Sequence, residues 1–415
     1  MERKKDRTIL HCDMNGFYAS VELLDYPQYK NIPMAVCGDP KSRHGIILAK
    51  NEPAKKFGIK TAETIWQAKK KCPSLVCVPP HHDKYSKYSK MINEIYLRYT
   101  DMVEPFSIDE SWLDVSASLT LFGSGKEIAD QIREIVKKEL GLTLSAGVSF
   151  NKIFAKMGSE YKKPDATTVI TRENYKNIIW PMDISEMFFV GKATADKLKT
   201  AGIHTIGDLA NTSRPLLVSM LGKHGGMLYD YSNGLDEEPV SLYSDREKIK
   251  SVGHGMTFTR NITGSEDIKA ALSGLCDKVA SRLRRNKMRA WGVKVDIKDP
   301  DFNVVSKQKQ LDAAINTAED ISIASYELIT SFWPLDRPIR LLTVTAINLV
   351  DENEAQQLSF FDTENTQRRQ RAESVERTLD MIRDKYGSSS IGFGRTVNND
   401  IGIKYKEPNK NNDDD

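Results

Sequence analysis

Cysteine is scarce in this 415-residue chain. The five thiols, Cys12, Cys37, Cys72, Cys77 and Cys276, are odd in number and scattered, and no C-x-x-C pair occurs among them. Such spacing supports neither a disulfide framework nor a zinc site and leaves buried or idle thiols as the reading. Long apolar runs are missing too: none approaches the ~20 residues that cross a bilayer. The first residues, Met1-Glu2-Arg3-Lys4-Lys5-Asp6-Arg7, are charged and have no apolar signal core behind them, so cytoplasmic residence is the expectation. Net charge is small, at +3, but it is unevenly placed. Residues 241–310 hold fifteen Lys/Arg against eight Asp/Glu, and a local excess of that kind points to a polyanion partner. With 40% hydrophobic and 28% charged residues, the rest is ordinary globular composition. A chain this long is expected to form two to four domains.

The sharpest local feature is Ser107-Ile108-Asp109-Glu110-Ser111, set between the alternating, strand-like runs Met102–Ser107 and Trp112–Val115. Adjacent carboxylates at a hairpin tip repel each other, and no neighbour in sequence neutralises them. A divalent cation would. Another carboxylate, Asp13, ends the apolar run Thr8-Ile9-Leu10-His11-Cys12. Carboxylates gathered on adjacent strand ends suit a pair of hard cations. The plainer alternative is a polar β-turn and an unrelated Asp.

The order of elements favours the first alternative. Thr8–Asp13 reads as a strand, and Gly16–Leu24 has helical spacing. Short strands are expected at Pro33–Cys37 and Gly45–Ala49, then a basic helical region, Glu52–Lys71, with six lysines in twenty residues. An amphipathic helix is expected over Tyr85–Tyr99, then the acidic hairpin and a helix near Lys126–Leu140. A strand at Thr143–Ser149, a helix from Asn151 and a strand at Thr167–Ile170 complete the region. Without the basic insert this is β-α-β-β-α-β, a ferredoxin-like layout, which would set Asp13 beside Asp109 and Glu110.

Four blocks now carry a resemblance: Asp13-Met14-Asn15-Gly16-Phe17-Tyr18-Ala19-Ser20-Val21-Glu22, Ser107–Glu110, Gly147–Lys156, and Lys163-Pro164. In this order and spacing they resemble the Y-family DNA polymerases, in particular the translesion enzymes of the polymerase IV type. The resemblance runs from about residue 8 to residue 361. It implies a multidomain α/β (α+β) chain with a ferredoxin-like palm (1–23 and 79–169) and small fingers (24–78). A helical helix-hairpin-helix thumb (170–240), an α/β little finger (241–350) and a flexible tail (351–415) would follow. The implied activity is magnesium-dependent, template-directed transfer of nucleotides from dNTP to a primer 3′-OH. No exonuclease-like acidic set is visible, so no proofreading is expected.

The resemblance also implies roles. Asp13, Asp109 and Glu110 would be catalytic and, with the backbone carbonyl of Met14, would hold two Mg²⁺ ions. Tyr18 matches an aromatic that sits under the sugar and rejects a 2′-OH; from periodicity alone it reads as a core aromatic. Phe17, Tyr18, Lys55 and Lys163 would contact the nucleotide. The fingers depart from the family pattern. Ala49, Glu52 and Lys55 stand where a hydroxyl, a tyrosine and an arginine are usual, and lysine keeps the charge but not the bidentate fork. Weaker nucleotide binding is therefore expected, and a catalytically weakened, clamp-bound DNA-binding scaffold is the alternative function. A nucleotide cyclase, also built on such a sheet, is more remote.

Farther along, Phe189-Val190-Gly191-Lys192 and Thr205-Ile206-Gly207-Asp208 resemble helix-hairpin-helix turns, with Gly191 and Lys192 placed to grip DNA phosphate. Phosphate contacts are implied for Arg260, Arg282, Arg284 and Arg285; a solvated charged face is the bland alternative. Gln357-Leu358-Ser359-Phe360-Phe361 resembles the bacterial sliding-clamp-binding peptide, with Gln357, Leu358, Phe360 and Phe361 as anchors. Beyond it, a short helix is expected at Ser374–Lys385 and disorder at Asn409–Asp415. Primer–template DNA, dNTP and the clamp are the expected partners of a monomer that associates with the nucleoid when acting.

Overall fold

The computed structural model describes residues 6–39, 45–245, 248–354, 363–396 and 399–403. The chain divides into two compact units, Met1–Arg246 and Glu247–Asp415. Among the described residues no helix is long and apolar enough to cross a membrane.

In the first unit the apolar run Ile9–Met14 forms β1, buried along its whole length. Gly16, at φ 54°, turns the chain into α1 (Phe17–Asp25), and glycine adopts that left-handed conformation without strain. Then come β2 (Met34–Cys37), β3 (Ile47–Lys50), α2 (Glu52–Lys56), α3 (Ile65–Lys71) and β4 (Val76–Val78). These strands form a small sheet of their own, in the order β3-β2-β4. The chain continues through α4 (His82–Tyr96), β5 (Val103–Pro105), β6 (Glu110–Asp114) and α5 (Leu119–Phe122). It closes this layer with α6 (Gly125–Leu140), β7 (Leu144–Ser149), α7 (Lys152–Tyr161) and β8 (Thr167–Val169).

The larger sheet runs β5-β6-β1-β7-β8. β1 is antiparallel to both β6 and β7, and β8 is parallel to β7. Apart from β8, this is the ferredoxin-like order. Local chemistry explains the helices behind it. In α6, Ser124 and Glu127 form a capping box, and Ile128, Ile132, Val136 and Leu140 recur on the buried side. Those residues meet Leu10, Leu113 and Ala146 in the core. α7 presses on β7 at Gly147, where a Cβ would lie 1.8 Å from the Ala155 carbonyl oxygen. The helix expected over Tyr85–Tyr99 starts and ends three residues earlier, at His82–Tyr96. Glu110 opens β6 rather than sitting in the turn, because its backbone is in register with Asp13.

Five short helices follow: α8 (Tyr175–Ile178), α9 (Lys192–Thr200), α10 (Ile206–Asn211), α11 (Arg214–Leu221) and α12 (Lys223–Ser232). They enclose Leu198, Ile206, Leu209, Leu217 and Leu228, and share that core with Phe150 and Phe154.

The second unit comprises β9 (Ser251–Ile262), α13 (Gly264–Arg285), β10 (Met288–Lys298), β11 (Val304–Ile315), α14 (Ala318–Phe332), β12 (Ile339–Asp351) and α15 (Thr363–Tyr386). Its antiparallel sheet runs β11-β10-β12-β9. Val293, Val295, Ile297 and Val344 from the sheet pack with Leu272, Val279 and Ile321 from the helices.

The expectation of a flexible tail over 351–415 is corrected for its described residues, 363–396 and 399–403. α15 spans 24 residues, where only Ser374–Lys385 was expected to be helical. Ile401 and Ile403 enter the core of the unit, and the Thr259 N–H donates to the Ile401 carbonyl at 3.2 Å. Buried ion pairs anchor the segment. Arg284 of α13 donates through Nε to Asp380 at 2.8 Å and is also paired with Glu376; Arg383 meets Asp277 at 2.9 Å. Composition hides this because the stretch is polar. Yet Glu373, Glu376, Asp380 and Asp384 recur on one face of a helix, opposite arginines that only the fold brings near.

Removing Arg284 would strand buried carboxylates. Arg284→Ala is expected to cost about 3–5 kcal/mol of stability, read as a lowered urea midpoint. The triple Arg284→Leu/Glu376→Leu/Asp380→Leu is expected to recover most of it. A pH effect is expected from His254 on β9. Burial first, then Lys278 and Arg282, hold its pKa down to about 4 from 6.5. The unfolded chain takes up this proton near 6.5 and the folded one only near 4, so stability falls as pH drops through that window and levels off below it. His254→Gln should flatten this part of a Tm-versus-pH curve.

Candidate active site

Asp13 is the last residue but one of β1, and Glu110 stands opposite it on β6. Asp109 is the preceding residue, and its carbonyl accepts the Met14 N–H at 3.1 Å. Carboxylate oxygens of Asp13 and Glu110 and a ring nitrogen of His11 lie within 4.8 Å of one another. Asp13, Asp109 and Glu110 open into a cleft of about 380 Å³. Met14, Phe17, Tyr18 and Lys163 line the same cleft, as do Leu48, Ala49, Lys50 and Thr61 from the region of the small sheet.

The acids differ in their electrostatics. Burial raises the Asp13 pKa to about 7 against the pull of Lys163, whose Nζ is 2.8 Å from Asp13 Oδ1. Burial is also the main cause of a raised pKa at Asp109; the Ser107 hydroxyl opposes it and the Glu110 charge adds to it. At Glu110 burial is again the largest single effect, but His11 and Lys156 together outweigh it and hold the pKa down to about 2. Lys156 forms a tight ion pair with Glu110. His11 is fully buried, 3.3 Å from Glu110 through Nε2 and 2.8 Å from Ser159 Oγ through Nδ1. Burial first of all lowers its own pKa to about 4, so it is neutral near pH 7.

These residues fit divalent cations. The donors are hard oxygens, and the high pKa of Asp13 means that Lys163 and the surrounding protein balance its charge incompletely. Beside them, Tyr18 stacks on Tyr85 with ring centroids 4.0 Å apart and meets the edge of His82. Phe17 is buried below. Tyr18 is thus packed like a core aromatic and still lines the cleft. α1 starts without a side-chain cap, and such a helix end favours anions.

Other expected site residues lie elsewhere. Lys55 does not line the cleft; it pairs with Glu52 at 3.5 Å on α2, where both side chains are more than half exposed. The cause is local: Asn51 caps α2, so Glu52 and Lys55 fall one turn apart on its outer side and pair with each other. Gly191 N-caps α9 with open space around its Cβ position, and Lys192 is exposed. Arg282 is exposed and donates to the Gly253 carbonyl at 3.1 Å. Arg284 is a correction: it is buried between Glu376 and Asp380 and faces no solvent that DNA could replace. Arg285 pairs with Asp384 and Arg260 with Asp267 and Asp400, so these guanidinium groups are already engaged by carboxylates. Gln357, Leu358, Phe360 and Phe361 lie outside the described residues.

Sequence reasoning missed His11, Lys50, Lys156 and Glu160. Lys156, Glu160 and Lys163 are spaced i, i+4, i+7, a signal open to a helical-face search. His11 reads as part of an apolar run, and Lys50 as one lysine among many.

Comparison with known proteins places this geometry. Residues 12–160 match the impB/mucB/samB family, and residues 249–360 its C-terminal domain. Residues 189–236 match a model described as the DNA polymerase-iota thumb domain, and 172–203 the IMS family HHH motif. The DNA polymerase IV of Acetivibrio thermocellus is 43% identical over 94% of this chain and 97% of its own. That of Clostridium acetobutylicum is 37% identical over 93% and 97%, and DNA polymerase IV 1 of Bacillus subtilis 36% identical over 95% and 94%. A solved Y-family DNA polymerase chimera, Dbh-Dpo4(243-245)-Dbh, superposes with a TM-score of 0.73 at 26% identity, covering 83% of this chain and 99% of that one. The chain belongs to the Y family of DNA polymerases, in its DNA polymerase IV group.

Lys156→Met removes the cation nearest Glu110. In metal-free protein the Glu110 pKa is expected to climb from about 2 towards the ordinary glutamate value, followed by carboxyl ¹³C NMR titration; an unmoved midpoint would discard the ion pair as the cause.

Proposed function

We propose that this chain is a template-directed DNA polymerase that carries out translesion synthesis, extending a primer 3′-OH from dNTP without proofreading. The observation that carries this is the convergence of Asp13, Asp109 and Glu110 on one cleft, in a chain whose relatives over nearly its full length are named DNA polymerase IV.

Asp13, Asp109, Glu110 and the Met14 carbonyl would hold two Mg²⁺ ions, which when bound neutralise phosphate charge and make the primer hydroxyl more acidic. The chain's own groups do the rest. Phe17 and Tyr18, at the open end of α1, receive the triphosphate and sugar, and the Tyr18 ring, braced by Tyr85, leaves no room for a 2′-OH. Lys163 turns from Asp13 to the triphosphate. Lys156 and neutral His11 keep Glu110 ionised and in place. Around this centre, residues 1–23 and 79–169 act as palm, 24–78 as fingers and 170–240 as thumb. The little finger starts at 241 and includes the described residues through 403. Gly191, Lys192 and Arg282 contact DNA phosphates, which makes binding salt-sensitive and independent of sequence. Gln357–Phe361 docks on a bacterial sliding clamp, and the polymerase works as a monomer in the cytoplasm, at the nucleoid.

Primer extension with Mg²⁺ and all four dNTPs tests the proposal. Wild type should extend, and Asp109→Ala/Glu110→Ala should lose about a thousand-fold or more in rate, as several kcal/mol of charge stabilisation implies, while still binding primed DNA. Intact DNA binding without extension by wild type, at high dNTP, would establish the scaffold instead.

A further inference from the structure

Lys55 stays outside the cleft, but another cation faces it. Lys50 ends β3 and, with Thr61, lines the cleft from the fingers, whereas Asp13, Asp109 and Glu110 line it from the palm. The lysines of this region differ in their partners. Lys163 is paired with Asp13 and Glu160, and Lys156 with Glu110. Lys50 Nζ donates to Thr61 Oγ1 at 3.3 Å, and among the described residues no carboxylate pairs with it. The nearby acids are engaged: Glu63 by Lys71 at 2.5 Å and Glu52 by Lys55. An ammonium carries three donors, so Lys50 keeps capacity for an anion. Burial first, and the Lys55 charge next, hold its pKa below the ordinary lysine value. A phosphate beside it would oppose both effects by favouring the charged form.

The backbone beneath Lys50 is rigid. The next residue, Asn51, is buried and accepts hydrogen bonds from the N–H groups of Met34 (3.0 Å) and Ala54 (3.1 Å). It donates to the carbonyls of Tyr29 (3.1 Å) and Ile32 (2.8 Å). On the other side the Lys50 carbonyl abuts Gly16, where a Cβ would lie 3.4 Å away. The β2–β3 register also shifts, Val36 facing Ala49 and Cys37 facing Ile47, so Leu48 is an extra residue. A bulge of this kind re-aims the side chains that follow it. Lys50 is thus a long cationic arm on a fixed base, one peptide layer from the uncapped start of α1.

Resting on the polymerase reading above, we propose that Lys50 binds the triphosphate of the incoming nucleotide, supplying from the end of β3 the positive charge that Lys55 does not bring to the cleft. Lys50 and Lys163 then grip the phosphate chain from opposite walls.

The test combines single-nucleotide insertion on a primed template with equilibrium binding of a non-hydrolysable dNTP analogue to the enzyme–DNA complex. Lys50→Met is expected to raise KM for all four dNTPs, and Kd for the analogue, by about 10- to 100-fold, the worth of a hydrogen bond between charged groups. The change in kcat should be smaller, pyrophosphate inhibition should weaken in parallel, and Tm and primer–template affinity should hold. Lys50→Arg should recover most of the loss, and Lys55→Met should stay near wild type. Unchanged KM and Kd in Lys50→Met would overturn the proposal. So would a loss confined to one nucleobase with pyrophosphate inhibition intact, or a loss carried by Lys55→Met instead. A wild type that binds the analogue but inserts nothing would refute the polymerase activity, and Lys50 would then be judged by the analogue's Kd alone.

Discussion

The pairing of β1 with β6 in the register Asp13↔Glu110 is the constraint on which the candidate active centre depends. It forces carboxylates together in a partly buried place, where their repulsion is poorly screened. Lys163 meets Asp13 and Lys156 meets Glu110, yet burial first, with the Glu160 and Glu110 charges adding to it, still pushes Asp13 to about 7. The balance is left incomplete in a site built of hard oxygen donors. Glu110, held ionised by Lys156 and His11, and Asp13, held near its titration range, are neighbours in one sheet with opposite shifts. Environment, not residue type, separates them.

The fingers meet the same cleft by other means. A bulge at Leu48 and the hydrogen-bonded Asn51 set the end of β3 against Gly16. The family's fingers cation position then falls on the exposed side of α2, where Lys55 faces Glu52, and Lys50 faces the cleft. Two residues that read as departures in the linear pattern pair with each other in three dimensions.

In the second unit, buried ion pairs join the apolar core in holding the C-terminal segment. Arg284, Glu376 and Asp380 form a cluster that is costly to desolvate and more costly to break. It binds the C-terminal segment to α13 and draws Arg260, Arg285 and Arg289 towards Asp400, Asp384 and Glu373. Part of the basic excess that suggested a polyanion surface is thereby neutralised within the unit.

Much of this was legible in the sequence. The apolar run before Asp13 and the helical spacing of Gly16–Leu24 marked β1 and α1, and the order of elements implied a ferredoxin-like sheet with Asp13, Asp109 and Glu110 at adjoining strand ends. Local pattern suffices there because strand alternation, helical period and caps act between near neighbours. What it left out depends on partners far apart in the chain: the exact facing of Lys50, the burial of Arg284 by Glu376 and Asp380, and the absorption of Ile401 and Ile403 into a core. A charge run looks solvated until its counter-charges, 92 and 96 residues away for Arg284, are folded against it. The sequence by itself determined the class of fold and the acids of the candidate centre; the tertiary structure alone decided which charges meet, because Coulomb energy depends on separation and burial, and neither is written in residue order.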